Sequence, residues 1–371
     1  MTALSWQFIL AMAATVGVFW ALPRRWPSLR WLFVAASGFI YLADVAPASA
    51  TLLAGITASS FALIWLRPPR WILYLYAGAA FALLLALRPT IGGGSYWFGA
   101  AFYILRVTHV MIEAARGALQ RPSLVEYLAY MAFPPTLSIG PVERLPWFQR
   151  ELKRWRWNPA FFSAGLETIL YGYAQIVLLG TYVIDHSLWS QATLVSSDVL
   201  RDWLECLRYG ASLYFKFAGY SDIAIGVALL LGIRIRENFN RPYLARNIAD
   251  FWRRWNISVT SWCRDYVNLP ALALTRNRSL AALASMLVLG LWHEVSWRYL
   301  LWGAFHGMGF ALWRGWRGLR ENIDVPESRV EAVAAWAVTM AFVIASFAIT
   351  KEETIAGSFQ ALALLIGWQA G

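Results

Sequence analysis

The most informative part of the sequence runs from Glu237 to Gly307. It reads ENFNRPYLARNIADFWRRWNISVTSWCRDYVNLP over residues 237–270 and, after ALALTRNRS, LAALASMLVLGLWHEVSWRYLLWGAFHG over residues 280–307. Arginine, aspartate, asparagine and histidine stand here between apolar segments in a chain that is 59% hydrophobic. Polar groups among membrane spans are expensive and usually functional, so this stretch is the first place to look for a site.

The composition around this stretch indicates a membrane protein. Only 14% of the 371 residues are charged and the mean hydropathy is +0.49, which excludes an ordinary soluble domain. The net charge of +11 comes from arginines in short loops, a topology signal of membrane proteins that does not indicate nucleic-acid binding. Cys206 and Cys263 lack metal spacing, so neither a disulfide framework nor a metal site is expected.

The apolar stretches predict an all-α polytopic membrane protein with a single domain over residues 1–371. They lie near residues 4–22, 31–43, 48–66, 71–87, 96–112, 124–140, 161–184, 207–233, 280–296, 297–313, 331–349 and 355–369. Several are shorter than the ~20 residues of a perpendicular crossing, so we expect roughly 9 to 11 transmembrane helices with re-entrant segments among them. The first stretch has no cationic start and no cleavage pattern, and is predicted to be a retained span.

Loop charges predict the orientation. Arginines follow the first and third stretches, whereas the loop between the second and third has none, so the N-terminus is expected outside and the C-terminus inside. Both flanks of residues 124–140 are basic, and the segment contains Pro134 and Pro135 and is followed by Pro141. We therefore predict that it enters and leaves on one side, as a re-entrant segment surrounded by protein or a water-filled cavity.

Residues 247–269 combine aromatic and charged side chains in an amphipathic pattern. An interfacial helix with its arginines near anionic headgroups would explain most of the pattern. Asn256 is the exception, because its amide falls among tryptophans. The nearby Trp252 and Trp255, together with Trp292 further along the chain, are candidates for lining a cavity.

His293 is the sharper signal. Counting 15 positions from Arg278 at ~1.5 Å each places the imidazole roughly 22 Å into a hydrocarbon core about 30 Å thick. A functional role is the default for such a group; the alternative is a histidine bonded to a neighbouring span. A desolvated neutral imidazole can take a proton from an alcohol that attacks a thioester, and an amide such as Asn256 can orient it or stabilise an oxyanion. His306 could line the same cavity or pack against Gly303 and Gly307.

At these residues the chain resembles the membrane-bound O-acyltransferase family, particularly its bacterial alginate O-acetyltransferase and D-alanyl teichoic-acid transferase branch. The matching runs are FAGYSDIAIGVALLLGIRIRENFNRPYLARNIADFWRRWNISVTSWCRDY and GLWHEVSWRYLLWGAFHG, within a motif core of about residues 215–310, with weaker support from SIGPVERLPWF. The resemblance implies a central funnel or tunnel, a catalytic His293, and Asn256 as the second residue of the catalytic centre. Alginate-type members usually carry histidine at the second position and glycine after the catalytic histidine, where this chain has Glu294.

The sequence thus predicts a multi-pass protein of the inner (cytoplasmic) membrane. We expect it to move an acyl group, with acetyl favoured, from a cytoplasmic thioester to a hydroxyl group. The hydroxyl belongs to an envelope polysaccharide, glycan or lipid. Acyl-coenzyme A or an acyl carrier protein is the expected donor, without a bound cofactor, and a periplasmic acyl-relay protein is a candidate partner; no nucleic acid is expected. Arg253, Arg254 and Arg264 are candidates for holding donor phosphates, the alternative being solvated arginines. A transporter or flippase that binds cargo at Asn256 and His293 is the rival reading, and a glycosyltransferase ranks last.

Overall fold

In the computed structural model, residues 6–87, 99–137, 139–188, 195–321 and 328–368 are described, and this part of the chain contains helices and no strand. The α-helices are α1 (Trp6–Ala21), α2 (Pro27–Val45), α3 (Pro47–Leu66), α4 (Arg70–Leu87), α5 (Ala100–Arg116), α6 (Leu124–Met131), α7 (Leu145–Arg154), α8 (Pro159–Tyr173), α9 (Asp198–Leu230), α10 (Ile248–Arg254), α11 (Ile257–Cys263), α12 (Leu269–Thr275), α13 (Arg278–His293), α14 (Trp297–Glu321), α15 (Arg329–Thr350) and α16 (Ile355–Leu365). Ala174–Leu188 and Arg264–Asn268 are π-helical, and Pro134–Thr136 and Pro242–Leu244 form 3₁₀ turns.

Several helices have the length and composition of membrane spans. Within the described ranges, five are long and apolar enough to cross a bilayer: α2, α3, α8 with its π-helical continuation to Ser187, α9 and α15. Shorter apolar helices cover Trp6–Ala21, Arg70–Ala86, Arg278–His293 and Ile355–Leu365. The prediction of an all-α polytopic membrane protein is therefore confirmed, because only helices with internally satisfied backbones suit such apolar segments. The orientation and the central funnel stay predictions.

The chain forms two compact units. Unit 1 comprises Met1–Tyr173 and Gly219–Glu237, and unit 2 comprises Ala174–Ala218 and Asn238–Gly371. Helix α9 belongs to unit 2 up to Ala218 and to unit 1 from Gly219. The single-domain assignment over residues 1–371 stays a prediction.

In unit 1, the proline-containing segment is broken as predicted. Helix α6 ends at Met131 and the 3₁₀ turn follows at once, because consecutive prolines cannot continue a helix. The buried Arg106 of α5 satisfies the carbonyls left open by this break: its guanidinium donates to the carbonyls of Tyr130 (3.1 Å) and Met131 (3.3 Å) and to Thr136. His109 of the same helix accepts the N–H of Leu145 at 3.1 Å. These side chains hold the irregular backbone in place.

In unit 2, the amphipathic stretch is not one helix. Helix α10 ends at Arg254 and α11 begins at Ile257, and between them Asn256 adopts the left-handed conformation with φ 43° and ψ 54°. Asparagine tolerates this region better than most residues. An unbroken interfacial helix over residues 247–269 is therefore excluded. Phe251, Trp252 and Trp262 are buried as well, so the aromatic side of the stretch packs inside the protein.

Candidate functional site

The kink at Asn256 is clamped by a second segment of unit 2. The carbonyl of Asn238 accepts the N–H of Ile257 at 2.9 Å, and its side-chain oxygen accepts the N–H of Ser258 at 3.1 Å. The N–H of Asn240 donates to the carbonyl of Arg254 at 2.9 Å. These bonds satisfy the backbone on both sides of Asn256, so its left-handed geometry is fixed by its surroundings.

The side chain of Asn256 is left unsatisfied by this framework. Asn256 is only 2% exposed, and its Oδ1 atom is buried with no hydrogen-bond partner among the described residues. The same holds for the Oγ atom of the buried Ser258. A buried polar atom without a partner costs about 1–3 kcal/mol, and these two stand two positions apart in the chain, which makes this place a candidate for a ligand contact.

His293 is the last residue of α13. Asn277 caps the start of the helix, and its side chain accepts the N–H groups of Ser279 and Leu280. The helix runs without a break to His293, so it rises roughly 22 Å from Arg278 to His293, and the depth of His293 in a membrane stays a prediction. The imidazole is half-buried, and its ring lies 4.8 Å from Trp292, 5.6 Å from Trp302 and 5.7 Å from Tyr299, centroid to centroid.

Trp302 joins the two histidines of this region. Its ring lies 4.7 Å from His306 and 5.7 Å from Trp252, in addition to its contact with His293. The Trp252 indole N–H donates to Nδ1 of the buried His306 at 3.3 Å. We call Trp252, His293, Trp302 and His306 the Trp302 cluster. Whether His306 lines a cavity or packs against Gly303 and Gly307 stays a prediction.

Glycines bring α13 and α14 close together. A Cβ on Gly290 would overlap the carbonyl oxygen of Tyr299, and one on Gly303 would overlap that of Met286. On Gly307 it would overlap the side chain of Leu283. Small residues permit this approach in membrane helices, and the approach sets the distance between His293 and Trp302.

Trp255 and Trp292, the other predicted cavity-lining residues, lie outside the Trp302 cluster. Trp255 stacks on Phe251 at 5.5 Å and contacts Tyr214, Phe239 and Tyr243. Desolvation and the nearby Tyr214 raise the pKa of Tyr243, so its hydroxyl stays protonated and donates to the carbonyl of Gly210 at 2.6 Å. Trp292 is buried and contacts the ring of His293. Whether these side chains line a cavity stays a prediction.

The predicted donor-binding arginines are paired with neighbouring carboxylates. Arg253 and Arg254 both reach Asp250, at 3.3 Å and 3.0 Å, and Arg264 reaches Asp265 at 2.8 Å. The side chains of Arg253 and Arg264 are 73% and 65% exposed, so these pairs add little stability. Their role toward a donor stays a prediction.

Asn256 and His293 both belong to unit 2, on elements that pack together. Helix α11, which follows Asn256, contacts α13, and α10, which precedes it, contacts α14. The Oδ1 atom of Asn256 receives no hydrogen bond from His293 or any other residue in the described part of the chain. No group of three or more histidine, cysteine, aspartate or glutamate side chains in the described ranges could hold a metal ion.

Comparison with protein families now identifies the fold. The model of the membrane-bound O-acyltransferase (MBOAT) family matches residues 28–350. The chain belongs to the MBOAT family.

Curated MBOAT relatives come from several bacteria. The protein named "Probable alginate O-acetylase AlgI" of Pseudomonas putida is 33% identical over 264 residues, which cover 69% of this chain and 52% of that relative. A teichoic acid D-alanyltransferase of Streptococcus thermophilus is 27% identical, and the matched residues make up 79% of this chain and 78% of that relative. A peptidoglycan O-acetyltransferase of Helicobacter pylori is 26% identical, and the matched residues make up 66% of this chain and 47% of that relative. The chain thus spans about half the length of the alginate relatives it matches.

Some residues around the site of this MBOAT chain were not predicted from the sequence. Trp302 stands four positions before His306, a helical spacing that puts both on one face of α14 and could have been noticed. Asn238 and Ser258 gave no signal, because the clamp around Asn256 joins segments that lie 20 residues apart in the chain. A further group of arginines, at Arg246, Arg317 and Arg320, had been used only as topology signals.

Proposed function

We propose that this protein is an integral membrane O-acyltransferase that moves an acyl group, with acetyl favoured, from a thioester donor at the cytoplasmic side to a hydroxyl of an envelope polysaccharide, glycan or lipid. Membership of the MBOAT family supports the reaction class. The names of the relatives supply the acceptor class, since alginate, teichoic acid and peptidoglycan are all envelope or extracellular polymers. The observation that carries the proposal is the half-buried His293 at the end of an unbroken apolar helix.

His293 acts as the general base in the proposed reaction. Its imidazole removes the proton of the acceptor hydroxyl while that oxygen attacks the thioester carbonyl, so a C–O bond forms and the carbonyl oxygen becomes an oxyanion. The C–S bond then breaks, and the leaving thiolate takes the proton back from the imidazolium. Ester and free thiol are the products, and no redox step is needed.

Asn256 stabilises the charge that develops in this reaction. Its amide is held by a fixed backbone kink, and the buried Oδ1 atom is free of protein partners in the described residues. In the proposed arrangement the Nδ2 group donates to the oxyanion, while Oδ1 accepts from the substrate. Preorganised donors of this kind contribute about 10²–10³ in rate.

The donor and partners follow from the same proposal. A coenzyme A or carrier-protein thioester supplies the acyl group, and no bound cofactor takes part. A periplasmic acyl-relay protein remains a candidate partner, as does direct transfer to the acceptor. The inner membrane is the proposed location, with the N-terminus outside and the C-terminus inside, as the loop arginines indicate.

The test is transfer of labelled acetyl from acetyl-coenzyme A, or from a loaded carrier protein, to envelope material in membranes that contain the full chain. His293→Ala is expected to lose transfer by about 10²–10⁴-fold, because a general base contributes that much. His186→Ala is the matched control and retains transfer, since His186 is exposed and remote in sequence from the site. Gel filtration and thermal unfolding check that both variants fold.

Two outcomes would contradict the proposal. If the folded His293→Ala protein formed ester at an undiminished rate, His293 would not be the general base. Movement of labelled substrate across the membrane without any new ester bond would instead support a transporter or flippase.

A further inference from the structure

A cavity of about 840 Å³ lies in unit 2, apart from the residues of the Trp302 cluster. It is formed by the start of α10 with the two residues before it, the second half of α14 and the first part of α15. Its lining consists of Arg246, Asn247, Ile248, Gly309, Leu312, Trp313, Trp316, Arg317, Arg320, Glu331, Ala334, Ala335, Val338, Thr339 and Phe342. The proposed acyl transfer uses none of these side chains.

The cavity has a charged end and an apolar end. Arg320 pairs with Glu331 at 3.1 Å where α14 ends and α15 begins, and Arg317 lies one turn before Arg320. At the other end Gly309 lies against the ring of Phe342, so closely that a Cβ would overlap it. Glu331 and Phe342 are 11 positions apart on one helix, which places the two ends roughly 16 Å apart.

The charged end attracts anions. Three arginines and one glutamate line the cavity, which gives a formal balance of 3 − 1 = +2. The Arg317 guanidinium lies 5.9 Å from the ring centre of Trp313, an arrangement that fixes a cation beside an aromatic face. Arginine presents a fork of N–H donors that matches the oxygens of a phosphate group.

The apolar wall indicates that the anion carries a hydrocarbon chain. Three apolar lining residues, Leu312, Trp316 and Val338, are 65%, 67% and 70% exposed. Helix α15 is one of the candidate membrane spans, and the charged end of the cavity lies at its first turn. A depth of roughly 16 Å is close to half of a hydrocarbon core about 30 Å thick, which is one leaflet.

We propose that this cavity binds an anionic phospholipid. The phosphodiester lies among Arg246, Arg317 and Arg320, and an acyl chain follows the groove between α14 and α15 toward Phe342. A free phosphate compound would satisfy only the charged end, and a zwitterionic lipid would satisfy the arginines less well. Because the Phe342 ring packs 5.6 Å from His306, the bound chain ends next to the Trp302 cluster.

The test is native mass spectrometry of the full-length protein, purified in detergent, stripped of lipid and then given phosphatidylglycerol or phosphatidylcholine with identical chains. Phosphatidylglycerol is expected to be retained about tenfold more, a ratio that one charge-assisted hydrogen bond would produce. The double variant Arg246→Gln, Arg317→Gln should lose this preference. Arg154→Gln is the matched control, because Arg154 is exposed on α7 and outside the cavity.

Two further measurements do not depend on the arginine variant. Ala335→Phe fills the groove without removing charge, and it should lower retention of phosphatidylglycerol even if the arginine variant folds poorly. Coenzyme A and inorganic phosphate are added as competitors, and neither should displace the lipid. Equal retention of the two lipids, unchanged retention in both variants, or displacement by coenzyme A would each overturn the proposal. The readout is binding, so it does not depend on the proposed acyl transfer.

Discussion

Arg106 in unit 1 and Asn256 in unit 2 are both almost fully buried polar residues, but their hydrogen bonding differs. The terminal nitrogens of Arg106 donate to two helix-end carbonyls and to Thr136, and only its Nε atom lacks a partner among the described residues. The Oδ1 atom of Asn256 receives no hydrogen bond within the described residues, although the backbone around it is well satisfied. Both residues lie beside a break between short helices.

Arg106 supports the fold, whereas the proposed reaction assigns the unpartnered oxygen of Asn256 to contact with a substrate. A buried cation that satisfies open carbonyls holds an irregular segment that would otherwise be costly. A buried amide oxygen without a partner lowers the free energy of unfolding, and a ligand that donates a hydrogen bond to it would offset this loss. Substitution of Arg106 is therefore expected to lower stability, and substitution of Asn256 is expected to lower the rate of acyl transfer.

The largest effect is expected at Arg106. Arg106→Leu leaves the carbonyls of Tyr130 and Met131 without their donor, and should lower the free energy of unfolding by about 3–5 kcal/mol, as when one partner of a buried polar pair is removed. Thermal unfolding in detergent measures this loss. Arg116→Leu on the same helix is the control and should change stability by less than about 1 kcal/mol, because its pair with Glu113 is exposed. Equal losses in the two variants would contradict a supporting role for Arg106.

Asn256 should show the opposite pattern. Asn256→Gly adopts the left-handed conformation freely, so the free energy of unfolding should change by less than about 1 kcal/mol while transfer falls roughly 10²-fold. Asn256→Asp keeps the shape but loses the Nδ2 donor, and should be as inactive as the glycine variant. Labelled transfer and thermal unfolding are measured on the same preparations. Stable variants with full transfer would show that Asn256 is only a backbone hinge.

The helical class could be predicted from the sequence because apolar length and loop charge are local properties. The proline break after Met131 was predicted for the same reason, since proline acts on its own backbone. The break at Asn256 was not predicted. Its left-handed geometry depends on hydrogen bonds that Asn238 accepts and Asn240 donates, and a pattern of aromatic and charged residues says nothing about such distant partners.

For the candidate site, the sequence was informative about single residues and less so about their grouping. The position of His293 at the end of an apolar helix followed from counting residues. The Trp302 cluster depends on the close packing of α13 and α14 through Gly290 and Gly303, which only the folded chain reveals. The cavity arginines were overlooked because charge in a loop served as evidence of topology and not of binding.

The helix contact itself can be tested at Gly290. A methyl group in Gly290→Ala would overlap the Tyr299 carbonyl, so α13 and α14 must move apart at a cost of about 1–3 kcal/mol in unfolding free energy. The movement should also lower transfer, because Tyr299 and Trp302 both contact His293. Gly315→Ala is the control: it meets nothing within 4 Å and should be neutral or stabilise α14 by about 0.5–1 kcal/mol. If the two variants had the same unfolding midpoint and the same transfer rate, the close contact at Gly290 would not matter for stability or transfer.

The smallest effect is expected at the hydrogen bond from Trp252 to His306. Trp252→Phe keeps an aromatic ring against Trp302 but removes the N–H that His306 accepts, so the free energy of unfolding should fall by about 1 kcal/mol. A double-mutant cycle with His306→Phe measures this coupling, and the pH profile of transfer is recorded for each variant. If His306 only packs within the cluster, Trp252→Phe leaves the shape of that profile unchanged. A displaced profile would mean that His306 carries a proton in the reaction, and the functional group in unit 2 would then include a second histidine beside His293.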